Sequence, residues 1–191
     1  MVSQDVYIHK SIQDILQHAQ QSNTPIISSA TKTRIEEHLR RTRPVYSMEI
    51  WAAIGHSTLT IAHTVQQRNG RLISCEVSLP SYRFVRRIMH EHNVCNTTIY
   101  NGDATRIQRE KILAPESIDF VFIDGTKREY YLYIQIVRPF VKKWGYIICD
   151  DVIQYQNKVG DLLSYITQQW GTHETVQLDD HDGLLVVRRL Q

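Results

Sequence analysis

At 191 residues the chain is long enough for one sizeable domain and short for two. Its 42% hydrophobic and 22% charged residues are those of an ordinary soluble globular protein, and a formal charge of +2 neither demands nor forbids nucleic acid. No apolar run approaches a membrane span, and the start Met1-Val2-Ser3-Gln4-Asp5 carries an early acid and no long apolar signal segment. Cys75, Cys95 and Cys149 are odd in number and far apart, so they read as buried small hydrophobes in a reducing compartment rather than a disulfide set or zinc site. The expectation is a cytoplasmic protein without a membrane partner. Nine histidines are scattered without metal-ligand spacing and read mostly as surface residues.

Helix and strand alternate almost throughout. Residues 5–20 place Ile8, Ile12, Ile15, Leu16 and Ala19 at helical spacing, and after Thr24-Pro25 a charged helix is predicted over 31–41. A first strand follows at 47–51, then a helix at 58–67 with Leu59, Ile61, Ala62 and Val65 inward. Asn69-Gly70 signals a turn before a strand at 71–77. Pro80 precedes a helix at 81–92, and short strands are predicted at 97–100 and 118–123. A helix at 129–141, a buried strand at 146–149 and an amphipathic helix at 160–170 come next. Two strands, 174–178 and 184–188, flank the turn-like Asp179-Asp180-His181-Asp182-Gly183. Strands separated by helix-sized segments imply right-handed crossovers and a largely parallel sheet, with the last pair close enough to add one antiparallel strand. The expected fold class is therefore α/β: a Rossmann-like, doubly wound, mainly parallel seven-stranded sheet with helices on both faces. No internal repeat or linker appears, so a single domain 1–191 is expected, with a helical extension over 1–44 before a core over 45–191.

Two hydrophobic runs end in acids. Ile118-Asp119-Phe120-Val121-Phe122-Ile123-Asp124 is followed by Lys127, and Trp144-Gly145-Tyr146-Ile147-Ile148-Cys149 by Asp150-Asp151. In an open α/β sheet, ligands bind in the crevice beyond the strand ends. Three carboxylates and a lysine converging there could hold a hard divalent cation with a base beside it. Equally, such acids are common turn formers and helix N-caps. Three more features fall at strand ends: the loop Glu49-Ile50-Trp51-Ala52-Ala53-Ile54-Gly55-His56-Ser57-Thr58, the acid Glu76, and Gly102-Asp103-Ala104. In that order they outline a nucleoside pocket, with Glu76 spaced to grip ribose hydroxyls. Taken singly, Glu76 is a solvated strand-end acid and Asp103 a turn residue.

On these residues the chain resembles the class I S-adenosylmethionine-dependent methyltransferases, specifically the small cation-dependent O-methyltransferases related to catechol and caffeoyl-CoA O-methyltransferases. The resemblance runs from about Pro25 to Arg189. It rests on Glu49 through Thr58, Glu76, Gly102-Asp103-Ala104, Asp124-Gly125-Thr126-Lys127 with Tyr130, Cys149-Asp150-Asp151, and Asp182-Gly183-Leu184. It implies S-adenosylmethionine as cofactor, with Glu76 on the ribose, Asp103 and Ala104 by the adenine, and Glu49, Gly55 and Ser57 at the methionine end. Asp124 would adjoin the cofactor and, with Asp150 and Asp151, hold a divalent cation, most simply magnesium. Lys127, beside Asp124, would take the proton from an acceptor hydroxyl as it attacks the methyl group.

The chain departs from that family in three places. Trp51 stands where the family has its first glycine, which implies a β-compatible loop with the indole turned aside, or impaired binding of the methionine end. Asp151 replaces the usual asparagine, giving three carboxylates that repel one another without a cation. The stretch from Val152 to Lys158 is short, which suggests an open site. The acceptor would be a small-molecule hydroxyl or a bulky one such as a tRNA wobble base, with Arg40, Arg41, Arg43, Arg83, Arg86 and Arg87 on phosphates or simply on solvated helix faces. Trp51 also leaves open a non-catalytic binding or dimerisation module. An exposed stripe of Ile8, Ile12 and Ile15 would permit a homodimer.

Overall fold

A computed structural model describes residues 4–153, 156–178 and 182–190. Two helices lead the chain, α1 (Gln4–Ser22) and α2 (Ser29–Thr42), followed by β1 (Tyr46–Ile50), α3 (His56–Gln66), β2 (Arg71–Glu76) and α4 (Leu79–Glu91). The chain continues through β3 (Thr97–Asn101), a 3₁₀ turn at Ala104–Arg106 running into α5 (Ile107–Glu110), and β4 (Ile118–Ile123). A second 3₁₀ turn at Lys127–Glu129 opens α6 (Tyr130–Val137), and β5 (Val141–Cys149), α7 (Gln156–Gln169), β6 (Gly171–Gln177) and β7 (Gly183–Arg189) complete the order.

The seven strands lie in the order β3-β2-β1-β4-β5-β7-β6. All pairings from β3 to β5 are parallel, and β7 runs antiparallel between β5 and β6. The expected doubly wound sheet with one reversed strand is therefore present. Its two faces follow the period-two alternation of the strands. Phe120, Phe122 and Ile148 meet Ile35 and Leu39 of α2 and Ile61 and Val65 of α3 on one side. Val121, Ile123, Ile147 and Cys149 meet Tyr130, Ile134, Leu162 and Ile166 on the other.

Helix starts follow local chemistry. The Ser28 hydroxyl caps α2 by accepting the Thr31 amide at 3.0 Å, and Ser78 caps α4, with Pro80 in its first turn where a missing N–H costs nothing. This places α4 two residues earlier than the sequence reading, which took Pro80 as a boundary. The helix expected over 129–141 ends at Val137 because Pro139 cannot continue it, and the freed residues start β5 at Val141 instead of 146. The expected apolar stripe is not an open face. Ile15 is fully buried with Ala52, Leu59 and Ile88, and Ile12 packs against the same cluster, so α1 serves the protein's own core; the Ile8 side chain lies outside the described residues. Cys95 is exposed, whereas Cys75 and Cys149 are buried as expected. His38 and His92 are buried, exceptions that a mostly surface reading of the histidines allows.

Candidate active site

Because β4 and β5 are adjacent and parallel, the residues following them emerge side by side at one sheet edge. Asp124, Asp150 and Asp151 there each offer a carboxylate oxygen, all within 4.8 Å of one another. Asp151 takes φ +57, which turns the chain back so that successive aspartates face one centre. Lys127 Nζ donates to Asp124 Oδ1 at 2.8 Å and lies 3.1 Å from Asp151 Oδ2, and it donates to the Tyr130 hydroxyl at 2.9 Å. Tyr130 in turn donates to the Asp150 carbonyl at 3.0 Å, tying α6 to the end of β5. From the helical extension, the Thr31 hydroxyl reaches Asp150 Oδ1 and Asp182 Oδ2, each at 3.2 Å, and Ser28 donates to Asp182 at 2.7 Å.

The electrostatics are those of crowded like charges. Burial, and then Asp124, Asp151 and Asp182, push the Asp150 carboxyl up to about 8. Asp124 is raised by burial against the opposing pull of Lys127. Burial alone would lower the Lys127 ammonium, but Asp124 and Asp151 outweigh it and hold its pKa above the ordinary lysine value. The cluster as it stands is a half-buried lysine ammonium clasped by carboxylates.

Further along the same edge, the Glu76 carboxylate at the end of β2 accepts the Ala53 and Ser78 amides, each at 2.7 Å, and burial raises its pKa. The loop after β1 is left-handed at Trp51 (φ +74), Ala53 (φ +48) and Gly55 (φ +90). The β-compatible path considered for Trp51 is thus not the one taken. A glycine-type conformation persists without glycine, at a cost on the order of 1–2 kcal/mol per residue. The indole lies over Gly125, where a Cβ would meet Trp51 Cδ1 at 2.6 Å, and its Nε1 donates to the Tyr133 hydroxyl at 3.1 Å. Tyr133 is itself hydrogen-bonded to Glu129.

Two cavities open on this edge. The larger, about 870 Å³, runs from Pro25, Ile26 and Ile27 past Asp124, Asp150 and Asp151 to Glu76. The smaller, about 220 Å³, is walled by Val77, Gly102, Asp103, Ala104, Glu129 and Tyr133. Trp51 and Thr126 line both and form the ridge between them.

Residues 48–152, more than half of the chain, match the family described as methyltransferase domain. The chain belongs to this methyltransferase family. The solved structures it resembles include an O-methyltransferase from Bacillus cereus in complex with S-adenosylhomocysteine, at 19% identity and TM-score 0.82, covering 94% of this chain and 90% of that one. TomG from Streptomyces achromogenes, an O-methyltransferase of tomaymycin synthesis solved with S-adenosylmethionine, matches at 16% identity and TM-score 0.81, covering 95% and 90%. A Staphylococcus aureus protein assigned provisionally as a caffeoyl-CoA O-methyltransferase matches at 21% and 0.80, covering 97% and 96%. At these identities the likeness is one of fold.

Within this methyltransferase, the residues singled out from sequence separate into two groups. Asp124, Lys127, Asp150, Asp151, Glu76, Asp103 and Ala104 stand on cavity walls. Glu49, Gly55 and Ser57 stand on neither. Glu49 is fully buried, accepts hydrogen bonds from Thr58 and Ser74, and is pushed by burial up to about 7; the nearby Ser57 hydroxyl opposes that shift. Gly55 caps α3 against Val85. The exposed surface of this loop comes from Trp51 and Ala53 instead. Sequence reasoning missed Thr31 and Ser28. Their hydrogen bonds span more than a hundred residues, and a serine-threonine pair at a helix start signals only a cap.

Proposed function

We propose that the protein transfers a methyl group from S-adenosylmethionine to a hydroxyl held beside a divalent cation. The observation that carries this reading is the convergence of Asp124, Asp150 and Asp151 with Lys127 on the edge that also carries Glu76 and Asp103. The donor set fits a hard dication: three carboxylates sharing one space, with Asp150 strained toward protonation by its neighbours. Magnesium suits such an all-oxygen set, and Asp124, Asp150 and Asp151 would hold it. When bound, S-adenosylmethionine would supply an electrophilic methyl group, and the cation would acidify the acceptor hydroxyl.

The chain's own residues then have separable tasks. The small cavity, lined by Asp103 and Ala104, would take the adenine, and Glu76, on the wall of the larger cavity, would meet the ribose. Both Glu76 oxygens already accept backbone amides, which fixes the carboxylate's direction and leaves one lone pair on each for a hydroxyl. Pro25, Ile26 and Ile27 give the acceptor side an apolar wall beside the cluster. Lys127 can accept the acceptor's proton only after releasing its own to solvent, a loss that its pairs with Asp124 and Asp151 oppose and that a cation on those carboxylates would favour. Tyr130 keeps the ammonium aimed at the cluster throughout.

The test is calorimetric titration with S-adenosylhomocysteine, with magnesium and with a chelator, followed by methyl-transfer assays against hydroxylated aromatic acceptors. Micromolar binding and chelator-sensitive turnover are expected. No binding at millimolar cofactor would overturn the reading and leave the fold as a binding module.

A further inference from the structure

The sheet edge opposite the acidic cluster is its chemical inverse. β5 is irregular where it begins: its register against β4 shifts between Ile118 and Phe120, and Trp144 takes φ +69. A bulge re-aims a side chain, and left-handed backbone at a bulky residue is a strained arrangement that points to use. Here it sends an indole into solvent, where Trp144 is 52% exposed and fills no core position. Lys143 and Arg188 lie 5.4 and 5.0 Å from its ring centroid. Arg188 also sits 5.5 Å from the Tyr146 ring, and Lys142 5.7 Å from the exposed ring of Tyr46.

The basic surface continues beyond these rings. The Arg71 amide donates to the Val45 carbonyl, and the Arg68 side chain reaches the Arg40 carbonyl, so the end of α2 and the start of β2 join the same edge. Asp119 lies among them with its carboxylate engaged by Lys142 and by the Val45 and Tyr46 amides. Tyr46 and Arg71 also line a groove of about 700 Å³, with Asn69, Thr98 and Ser117 on its walls and no Asp or Glu among its described lining residues. In a chain of formal charge +2, this concentration is balanced by the acids gathered at the catalytic edge.

We propose that this edge docks single-stranded nucleic acid. The half-exposed indole and phenol rings, with Arg188, Lys143 and Lys142 lying over them, suit bases that stack onto this cation–aromatic layer, the same cations suit phosphates, and the amide and hydroxyl groups of the groove suit base edges. A lipid surface fits less well, because the groove beside the Tyr46 ring is concave and mixes apolar walls with amide and hydroxyl groups, whereas membrane contact needs a protruding apolar face. The inference goes beyond the proposed methyl transfer and does not rest on it.

The experiment is fluorescence anisotropy with labelled oligo(U) and oligo(dT) across a salt series. Binding to either strand is expected, with affinity falling as salt rises. Trp144→Ala should weaken it by about five- to a hundredfold without changing the salt slope. Trp144→Gly, which suits φ +69, repeats that test in a backbone-compatible form. Lys143→Ala and Arg188→Ala should each reduce the slope by about 0.7. Lys10→Ala, on the exposed side of α1, should change neither quantity. Calorimetry with S-adenosylhomocysteine on the same Trp144 variants should give wild-type values, which separates failure here from failure at the active site. No binding at low salt, wild-type affinity in both Trp144 variants, or tighter binding to phosphatidylserine vesicles than to either strand would overturn the proposal.

Discussion

Asp150→Asn should make the ion-free protein more stable while abolishing its response to divalent cations. The carboxylate is 3% exposed, and its oxygen lies within 4.8 Å of oxygens on both Asp124 and Asp151. Two unit charges at that separation repel by about 3 kcal/mol at an effective dielectric of about 20. Lys127 is ion-paired to Asp124 and Asp151, so its relief of Asp150 is indirect. The carboxyl, ordinarily at 3.8, is pushed up to about 8 by burial and then by its acidic neighbours. Between those values the folded state keeps a proton that the unfolded chain has released, so stability falls as pH rises through the window. Asparagine does not titrate, and its carbonyl oxygen can still accept the Thr31 hydroxyl. The variant should therefore match the wild type near pH 5 and exceed it by about 2–4 kcal/mol near pH 9, a Tm gain of about 5–15 °C. Thermal unfolding followed by circular dichroism, with chelator and with millimolar magnesium, reads both effects, because magnesium should raise the wild-type Tm alone. A variant destabilised at every pH would refute the reasoning and show that hydrogen bonds, not mutual repulsion, govern this carboxylate.

Glu76→Gln should weaken S-adenosylhomocysteine binding by about 1.5–3 kcal/mol in calorimetry, since a charged acceptor is lost. Glu76→Ala should also destabilise the fold, by about 1–3 kcal/mol for each orphaned amide of Ala53 and Ser78, as read by urea unfolding. Lys127→Ala should leave cofactor affinity intact and lower single-turnover methyl transfer by about 10²–10⁴-fold; ordinary turnover would reduce the residue to a charge-balancing role. Gly125→Ala should cost about 1–3 kcal/mol, because its Cβ would press on the Trp51 indole, and the loss should vanish in a Trp51→Gly background. Additivity of those two changes within about 0.5 kcal/mol would show that they do not touch.

The parts of the protein legible in its sequence were those governed by local periodicity. The run Ile118 to Ile123 is bounded as read, because β-branched and aromatic residues alternate between two packed faces and Asp124 ends the run. The acidic cluster was legible for a related reason, since parallel neighbours must deliver their following residues to one edge. What the sequence hid depended on contacts across the fold. Thr31 joins Asp150 only after α2 docks. The buried state of Ile15 reflects a partner on α3 and α4, whereas its spacing alone fits an open stripe equally well. Trp51 was flagged as a departure, but its left-handed backbone and its reciprocal fit with Gly125 emerge only when the loops after β1 and β4 lie side by side.

The placement of β7 between β5 and β6 also fixes an order of assembly. β7 follows every other strand in the chain, yet it supplies the hydrogen-bonded neighbour of β5 from Tyr146 to Cys149, and its Gly183 carbonyl accepts the Val152 amide just past the aspartate pair. As the chain emerges from the ribosome, β1 to β5 can pair while the outer edge of β5 stays bare, presenting Tyr146, Ile147 and Ile148 as a template for stray strands. Tyr130 and the Ile123 carbonyl already hold the backbone of Asp150, and the last segment adds the tie at Val152 that closes that edge. A nascent chain halted before β7 would carry all three clustered aspartates but lack Asp182 and the strand that covers the outer edge of β5.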